Sequence, residues 1–181
     1  RLGSDGRHET PWSRPPPWIS RPKARLMGQE TGMNEAADAR RRVLFVCVHN
    51  SGRSQMAEAF LNAMAGDRFK AESAGLKPTP IHPLVVEAMS EAGLDLSGSK
   101  ADSVFEFFKE GRLYDYVITV CNEPEEQECP MFPGIARRLN WPFDNPEGFQ
   151  GTRDERLSQV RRVRDRIKAR IQEWLEELDR K

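Results

Sequence analysis

The residues best suited to chemistry lie in one short segment, Cys47 to Ser54, with the sequence CVHNSGRS. It follows an apolar run that predicts a buried strand, and it precedes a segment with helical spacing. A loop from the carboxyl end of a strand to a helix start presents free backbone N–H groups and the positive end of the helix dipole. That field favours the thiolate form of a cysteine at the first position. The segment therefore predicts a nucleophilic Cys47 beside a tetrahedral oxyanion.

The other loop positions supply complementary groups. The Arg53 guanidinium can bind two oxygens of an oxyanion at once. Ser54 can donate its hydroxyl to the Cys47 sulfur, Gly52 lets the backbone turn its amides inward, and Asn50 can hold the loop's shape. The predicted oxyanion-binding set is Val48, His49, Asn50, Ser51, Gly52 and Arg53. The alternative, a buried thiol and a surface arginine, is less favoured because strand, glycine, serine and helix all fit the functional interpretation.

Two further cysteines follow at a distance. Cys121 comes directly after a second apolar run, so it should emerge at the same sheet edge as Cys47. Cys129 lies in a polar, acidic segment with two prolines, which predicts enough mobility to bring its thiol inward and outward. Three sulfurs that can meet in sequence suit thiol–disulfide exchange. The alternative is that Cys121 is a buried strand residue and Cys129 an incidental loop thiol. Their spacing does not match a zinc site.

Apolar patterning predicts alternating strands and helices from position 43 onward. Such alternation is typical of an α/β fold with a parallel sheet covered by helices on both faces. The last helix is the clearest, because apolar residues recur every three or four positions between charges. Strands are predicted at 43–46, 69–74, 116–120 and 138–141, and helices at 54–64, 83–92, 102–109 and 157–178.

The N-terminal stretch differs from the rest of the chain. Residues 1–41 are rich in proline and arginine without periodic apolar residues, and are interpreted as a disordered or spurious extension before a domain at 42–181. Residues 1–42 carry a net charge of +4 and the remainder −4. A mildly acidic body argues against a nucleic acid partner. With no membrane-spanning run and an odd count of three cysteines, a cytoplasmic protein with reactive thiols is expected.

The Cys-x5-Arg-Ser loop resembles the low-molecular-weight protein tyrosine phosphatase superfamily, and is most similar to its thioredoxin-coupled arsenate reductase branch. The stretches that carry the resemblance are CVHNSGRSQMAE from Cys47, ESAG from Glu72, LDLS from Leu94, VITVC from Val117 and WPFDNPEG from Trp141. The resemblance implies a four-stranded parallel sheet flanked by helices, with arsenate or phosphate as the bound oxyanion.

The resemblance also implies roles for the three cysteines. In the family, the loop cysteine, here Cys47, attacks arsenate, and a second cysteine, matching Cys121, attacks the first and releases arsenite. A third, matching Cys129, takes over the disulfide and presents it to thioredoxin or a similar dithiol protein. Arg53 matches the family's oxyanion clamp and Ser54 its thiolate stabiliser. No cofactor is required by this scheme.

The match departs from the family at the general acid. Members usually carry Asp before a proline in the late loop, but here Asn145 precedes Pro146. Asp144, one position earlier, is the candidate substitute. An arsenate reductase tolerates this loss better than a phosphatase, which must expel a poor leaving group. His49 is expected to face solvent or order the loop backbone, and His82 to serve helix entry.

Some members of the family bind potassium beside the anion loop. The matching residues are Asn50, Glu58, Ser73 and Asp102, whose oxygen atoms suit a hard cation. Hydrogen bonds that support the loop explain Glu58 and Asp102 equally well.

The sequence thus predicts an arsenate reductase. A low-molecular-weight phosphatase, whose additional cysteines only protect or regulate it, is the alternative enzyme. An oxyanion-binding module without turnover is the alternative outside enzymes.

Overall fold

The computed structural model describes residues 39–121 and 136–180. Residues 1–41, predicted as an extension, lie almost entirely outside this part, and so does Cys129. The described elements are β1 (Arg41–Cys47), α1 (Arg53–Ala65), β2 (Phe69–Gly75), α2 (Pro83–Glu91), α3 (Val104–Lys109), β3 (Tyr116–Thr119), β4 (Arg137–Asn140), a short 3₁₀ helix (Pro146–Gly148) and α4 (Arg153–Asp179). Every strand and helix predicted from the pattern is confirmed, with ends shifted by a few residues. The 3₁₀ helix was not predicted.

The four strands form one parallel sheet in the order β2-β1-β3-β4. This confirms the predicted α/β class. The central strand β1 pairs with β2 on one side and β3 on the other. Four successive residues of β1, Val43 to Val46, are fully buried, as expected for a parallel strand covered on both faces. Because the strands are parallel, the residues after β1 and β3 meet at one edge.

Helices cover both faces of the sheet, but unequally. On the larger face, α1, α2 and α4 enclose the main core. Trp174 of α4 lies within it, with ring centroids 5.3 Å from Phe69, 5.0 Å from Tyr116 and 5.7 Å from Trp141. On the other face, α3 covers a smaller cluster through Val104 and Phe107. The main core therefore fixes the strand ends that hold the reactive loop.

The long helix α4 begins at a capping box. The Thr152 side chain accepts from the Glu155 backbone N–H, and the Glu155 carboxylate accepts from the Thr152 N–H. Its buried residues, such as Leu157, Ile167 and Ile171, follow the spacing seen in the sequence. In the described ranges, no helix is both long and apolar enough to cross a bilayer.

Candidate active site

The loop between β1 and α1 is tied to the segment that follows β2. Backbone N–H groups of Leu76, Lys77 and Thr79 donate to the carbonyls of Cys47, Val48 and His49 at 3.1, 2.7 and 2.9 Å. Gly75 makes this approach possible. A Cβ atom there would lie 2.9 Å from three backbone atoms of the loop, closer than real Cβ contacts allow. These contacts hold the loop in place at the carboxyl edge of the sheet.

The Cys47 sulfur is buried and hydrogen-bonded. The Asn50 N–H donates to Cys47 Sγ at 3.1 Å, and Ser54 Oγ lies 2.9 Å from the same sulfur. Since Asn50 Nδ2 donates to Ser54 Oγ at 2.9 Å, the serine hydrogen is free to point at the sulfur. Two hydrogen-bond donors therefore converge on the Cys47 sulfur, a geometry that suits a sulfur acting as an acceptor.

Asn50 organises the loop through its side chain. It is fully buried, and its backbone has the left-handed φ of 53°, a conformation that asparagine tolerates. Its Nδ2 donates to Ser54 and to Ser73, while its Oδ1 accepts from Gln55 and from the Asp102 backbone. The left-handed turn of the loop thus lies at Asn50. Gly52, which the sequence suggested as the flexible point, has a φ of −154°.

The four residues proposed for potassium do come together, but they bond to one another. Asn50 Oδ1 already accepts two hydrogen bonds. Ser73 Oγ accepts from Asn50 and donates to Glu58 Oε2 at 2.5 Å. Burial, against the opposing hydrogen bond from Ser73, raises the pKa of Glu58 to about 7. This cluster of hydrogen bonds supports the loop, and it brings together the same four residues that the resemblance matched to a potassium site. The described residues also contain no group of three or more His, Cys, Asp or Glu side chains able to hold a metal.

Arg53 lines a small, largely enclosed pocket. The pocket is lined by Cys47, His49, Ser51, Gly52, Arg53, His82, Asn145, Pro146 and Glu147. The Arg53 side chain is buried, and its Nη1 donates to the Phe143 carbonyl at 3.1 Å. That bond orients the guanidinium beside Cys47, where its other N–H groups can meet an oxyanion.

Glu147 also lines this pocket, a position that was not predicted from sequence. Its Oε1 accepts from Ser51 Oγ at 2.6 Å, and its Oε2 lies 2.5 Å from His49 Nδ1. Burial opposes ionisation of Glu147, but the hydrogen bonds from Ser51 and His49 outweigh it and hold its pKa below the ordinary value. The contact spans 96 positions of sequence, and no local pattern links residues so far apart.

The structure does not bring Asp144 to the pocket. Its Oδ2 lies 2.7 Å from Arg166 Nη1 of α4, and its side chain is 65% exposed. The residue before Pro146 offers no acid either, because Asn145 carries an amide. Its side chain caps the 3₁₀ helix by accepting from the Glu147 N–H at 3.3 Å. The candidate general acid of the sequence analysis is therefore not supported by its position.

His82 serves helix entry, as expected, and also borders the pocket. Its Nδ1 accepts from the Leu84 N–H at 3.2 Å, and its own backbone N–H donates to the Ser51 carbonyl at 2.9 Å. Burial, followed by the positive charge of Arg156, lowers the pKa of His82. A neutral ring bonded this way carries its proton on Nε2.

Cys121 lies at the predicted edge. Val46 of β1 pairs with Thr119 of β3, and the Val120 N–H donates to the Val46 carbonyl at 2.9 Å. Cys121 therefore comes just after β3, the strand that is hydrogen-bonded to β1, at whose end Cys47 lies. Cys47 and Cys121 are both buried.

Known proteins are similar to this chain in sequence and in fold. The model of the low molecular weight phosphotyrosine protein phosphatase family matches residues 42–181. An arsenate reductase from Bacillus subtilis (strain 168) is 37% identical over 134 residues, covering 74% of this chain and 94% of that protein. A solved arsenate reductase in the phosphate binding state has a TM-score of 0.60 at 30% identity, covering 76% of this chain and 98% of that one. The thioredoxin-dependent arsenate reductase of Corynebacterium glutamicum has a TM-score of 0.60 at 34% identity, covering 79% of this chain and 64% of that one.

Proposed function

Since the chain belongs to the low molecular weight phosphotyrosine protein phosphatase family, we propose that it reduces arsenate to arsenite through a covalent adduct on Cys47. The observation that carries this proposal is the convergence of Ser54 and the Asn50 N–H on the Cys47 sulfur. Similarity to proteins named arsenate reductase supports arsenate as the substrate.

In the first step, the Cys47 thiolate attacks arsenic. A sulfur–arsenic bond forms, one arsenic–oxygen bond breaks, and the departing oxygen takes up protons and leaves as water. The Arg53 fork and the amides from Val48 to Arg53 bind the remaining oxygens and follow the negative charge into the transition state.

In the second step, the Cys121 thiolate attacks the Cys47 sulfur. A disulfide forms, and arsenic leaves with the electron pair of the broken sulfur–arsenic bond as arsenite. Arsenic gains two electrons and the two thiols lose them, so no external oxidant or reductant is needed in this turnover. The common edge reached by β1 and β3 supports this pairing.

In the third step, Cys129 attacks Cys121 and releases Cys47 as a thiol. Thioredoxin or a similar dithiol protein then reduces the Cys121–Cys129 disulfide, by the exchange chemistry that disulfides generally undergo. The likeness to a thioredoxin-dependent enzyme supports this partner. Such a cycle needs thiols that stay reduced between turnovers, which fits a cytoplasmic location.

A phosphatase is the second candidate, and the family name is the observation that favours it. It requires a general acid for a poor alkoxide leaving group. Asp144 is turned to Arg166 and Asn145 cannot donate a carboxylic proton. The site therefore fits arsenate better than a phosphate ester.

Turnover with purified thioredoxin, thioredoxin reductase and NADPH tests the proposal. Arsenate-dependent NADPH oxidation should be abolished in Cys47→Ser, Cys121→Ser and Cys129→Ser. Aryl phosphate hydrolysis, measured in parallel, separates the two enzymes. Steady hydrolysis that survives Cys121→Ser, together with no arsenate-dependent oxidation, would establish the phosphatase instead.

A further inference from the structure

One carboxylate bridges two positions of the anion loop from outside it. Glu147, in the 3₁₀ helix after Pro146, contacts Ser51 Oγ through one oxygen and His49 Nδ1 through the other. We call these three side chains the Glu147 clasp. The Glu147 and His49 side chains are about one-third exposed (30% and 33%), while Cys47 is 2% exposed. Solvent therefore reaches the clasp, which lines the same pocket as the buried sulfur.

The clasp is firmly held at both ends. The backbone of the Glu147 segment is fixed by Asn145, which accepts from the Glu147 N–H. On the loop side, the Ser51 carbonyl accepts from His82. Hydrogen bonds to an ionised carboxylate are among the stronger ones in proteins. A bound ligand that keeps the clasp open must therefore replace the two charge-assisted hydrogen bonds of Glu147, or bind without them.

We propose that Glu147 is a specificity-determining residue that admits free tetrahedral oxyanions to Cys47 and excludes phosphate monoesters. This inference rests on the proposed function and names the substrate class of the same pocket. A free oxyanion carries no group beyond its own oxygens, so the clasp can close behind it. The organic group of an ester would extend past Ser51, His49 and Glu147, which line the pocket, so the clasp could not close around it.

The charge of Glu147 acts in the same direction. A carboxylate ionised at neutral pH stands where the ester's organic group would pass. For an aryl ester, this charged carboxylate stands in place of the apolar or aromatic wall that the ring needs. An inorganic anion meets this charge only on entry, and it then lies against Arg53 and the loop amides.

Protection of Cys47 from alkylation tests the inference without requiring turnover. The full-length reduced protein is treated with iodoacetamide, and modification of the Cys47 peptide is followed by mass spectrometry. Inorganic phosphate and phenyl phosphate are the two protecting ligands. In the wild-type protein, inorganic phosphate should slow modification of Cys47, and phenyl phosphate at equal concentration should not.

Removing the carboxylate should change the ratio of the two protection constants. In Glu147→Ala, protection by phenyl phosphate should improve relative to inorganic phosphate by about tenfold or more, as expected when charge-assisted contacts no longer compete with the ester. Glu147→Gln, which keeps an acceptor and the side-chain volume, should give an intermediate ratio. Glu106→Ala, at an exposed position of α3, is the matched control and should retain the wild-type ratio.

An unchanged ratio in both Glu147 variants, with inorganic phosphate still protecting Cys47, would overturn the inference and leave the proposed function intact. Equal protection by the two ligands in the wild-type protein would overturn it as well. Failure of inorganic phosphate to protect wild-type Cys47 would contradict the anion site, and with it both proposals.

Discussion

The Ser54 hydroxyl contacts both the Cys47 sulfur and the Asn50 side chain. Because Asn50 Nδ2 donates to its oxygen, its hydrogen is directed to the Cys47 sulfur. A hydrogen bond to a charged group contributes roughly 1.5–3 kcal/mol. We expect Ser54→Ala to slow single-turnover arsenite formation about 10- to 100-fold. Rapid quenching of the reduced protein mixed with arsenate measures this rate. Ser97→Ala, at an exposed position, should leave it unchanged, and an equal rate in Ser54→Ala would contradict the assigned role.

The buried Glu58 carboxyl, which supports the loop through Ser73, makes the free energy of unfolding depend on pH. Burial raises its pKa from 4.5 to about 7, so between these values the folded protein keeps a proton that the unfolded chain has lost. The free energy of unfolding therefore falls as pH rises from 4.5 to 7, and the loss is complete above 7. Its full size is on the order of 3 kcal/mol.

Glu58→Gln removes this cost because glutamine stays neutral and can still accept from Ser73. The variant should be more stable than the wild-type protein at pH 8, by up to about 3 kcal/mol, and nearly equal to it at pH 4.5. Urea unfolding at the two pH values in potassium-free buffer measures the difference. Glu106→Gln is the control. The same stability change at both pH values would show that Glu58 does not titrate as described.

At the scale of elements, the reactive loop depends on β2 as much as on β1. In Gly75→Ala, the new methyl would lie 2.9 Å from backbone atoms of Val48, His49 and Asn50, so the loop must move. We expect a loss of stability of about 1–3 kcal/mol. Activity should fall as well, because the Asn50 N–H is displaced from the Cys47 sulfur.

Gly98→Ala is the matched control for this element, since a Cβ there meets nothing within 4 Å. Its stability should change by less than about 1 kcal/mol. Thermal unfolding and arsenite formation are measured for both variants. A Gly75→Ala protein with wild-type stability and rate would mean that the close approach of the two segments does not position the loop.

The elements that could be predicted from sequence are those whose burial is visible in the spacing of neighbouring residues. The apolar run of β1 and the periodic stripe of α4 both report burial directly. The Cys47–Arg53–Ser54 loop could be recognised because its spacing is short. The Glu147 contact with Ser51 could not be predicted, because the two residues are 96 positions apart and meet only in the folded protein. The left-handed backbone at Asn50 could not be predicted either, because glycine adopts this conformation more readily and Gly52 lies two positions away.

At the scale of the whole molecule, the core and the candidate site belong to the region that the family model matches, residues 42–181. We therefore expect a chain beginning at Ala39 to keep the free energy of unfolding of the full chain within about 0.5 kcal/mol. Its thioredoxin-coupled turnover should also be unchanged. Urea unfolding and NADPH oxidation compare the two chains. A large loss of either would assign residues 1–38 a part in the fold or the reaction.

In the proposed reaction, the protein's own thiols supply the two electrons that reduce arsenate, through a Cys47–Cys121 disulfide that then passes to Cys121 and Cys129. The most direct test mixes fully reduced protein with arsenate, without external reductant, and counts arsenite and free thiols. We predict about one arsenite per chain and the loss of two thiols, with the disulfide mapped by mass spectrometry to Cys121 and Cys129. No arsenite and no loss of thiols, with steady hydrolysis of an aryl phosphate, would contradict the account.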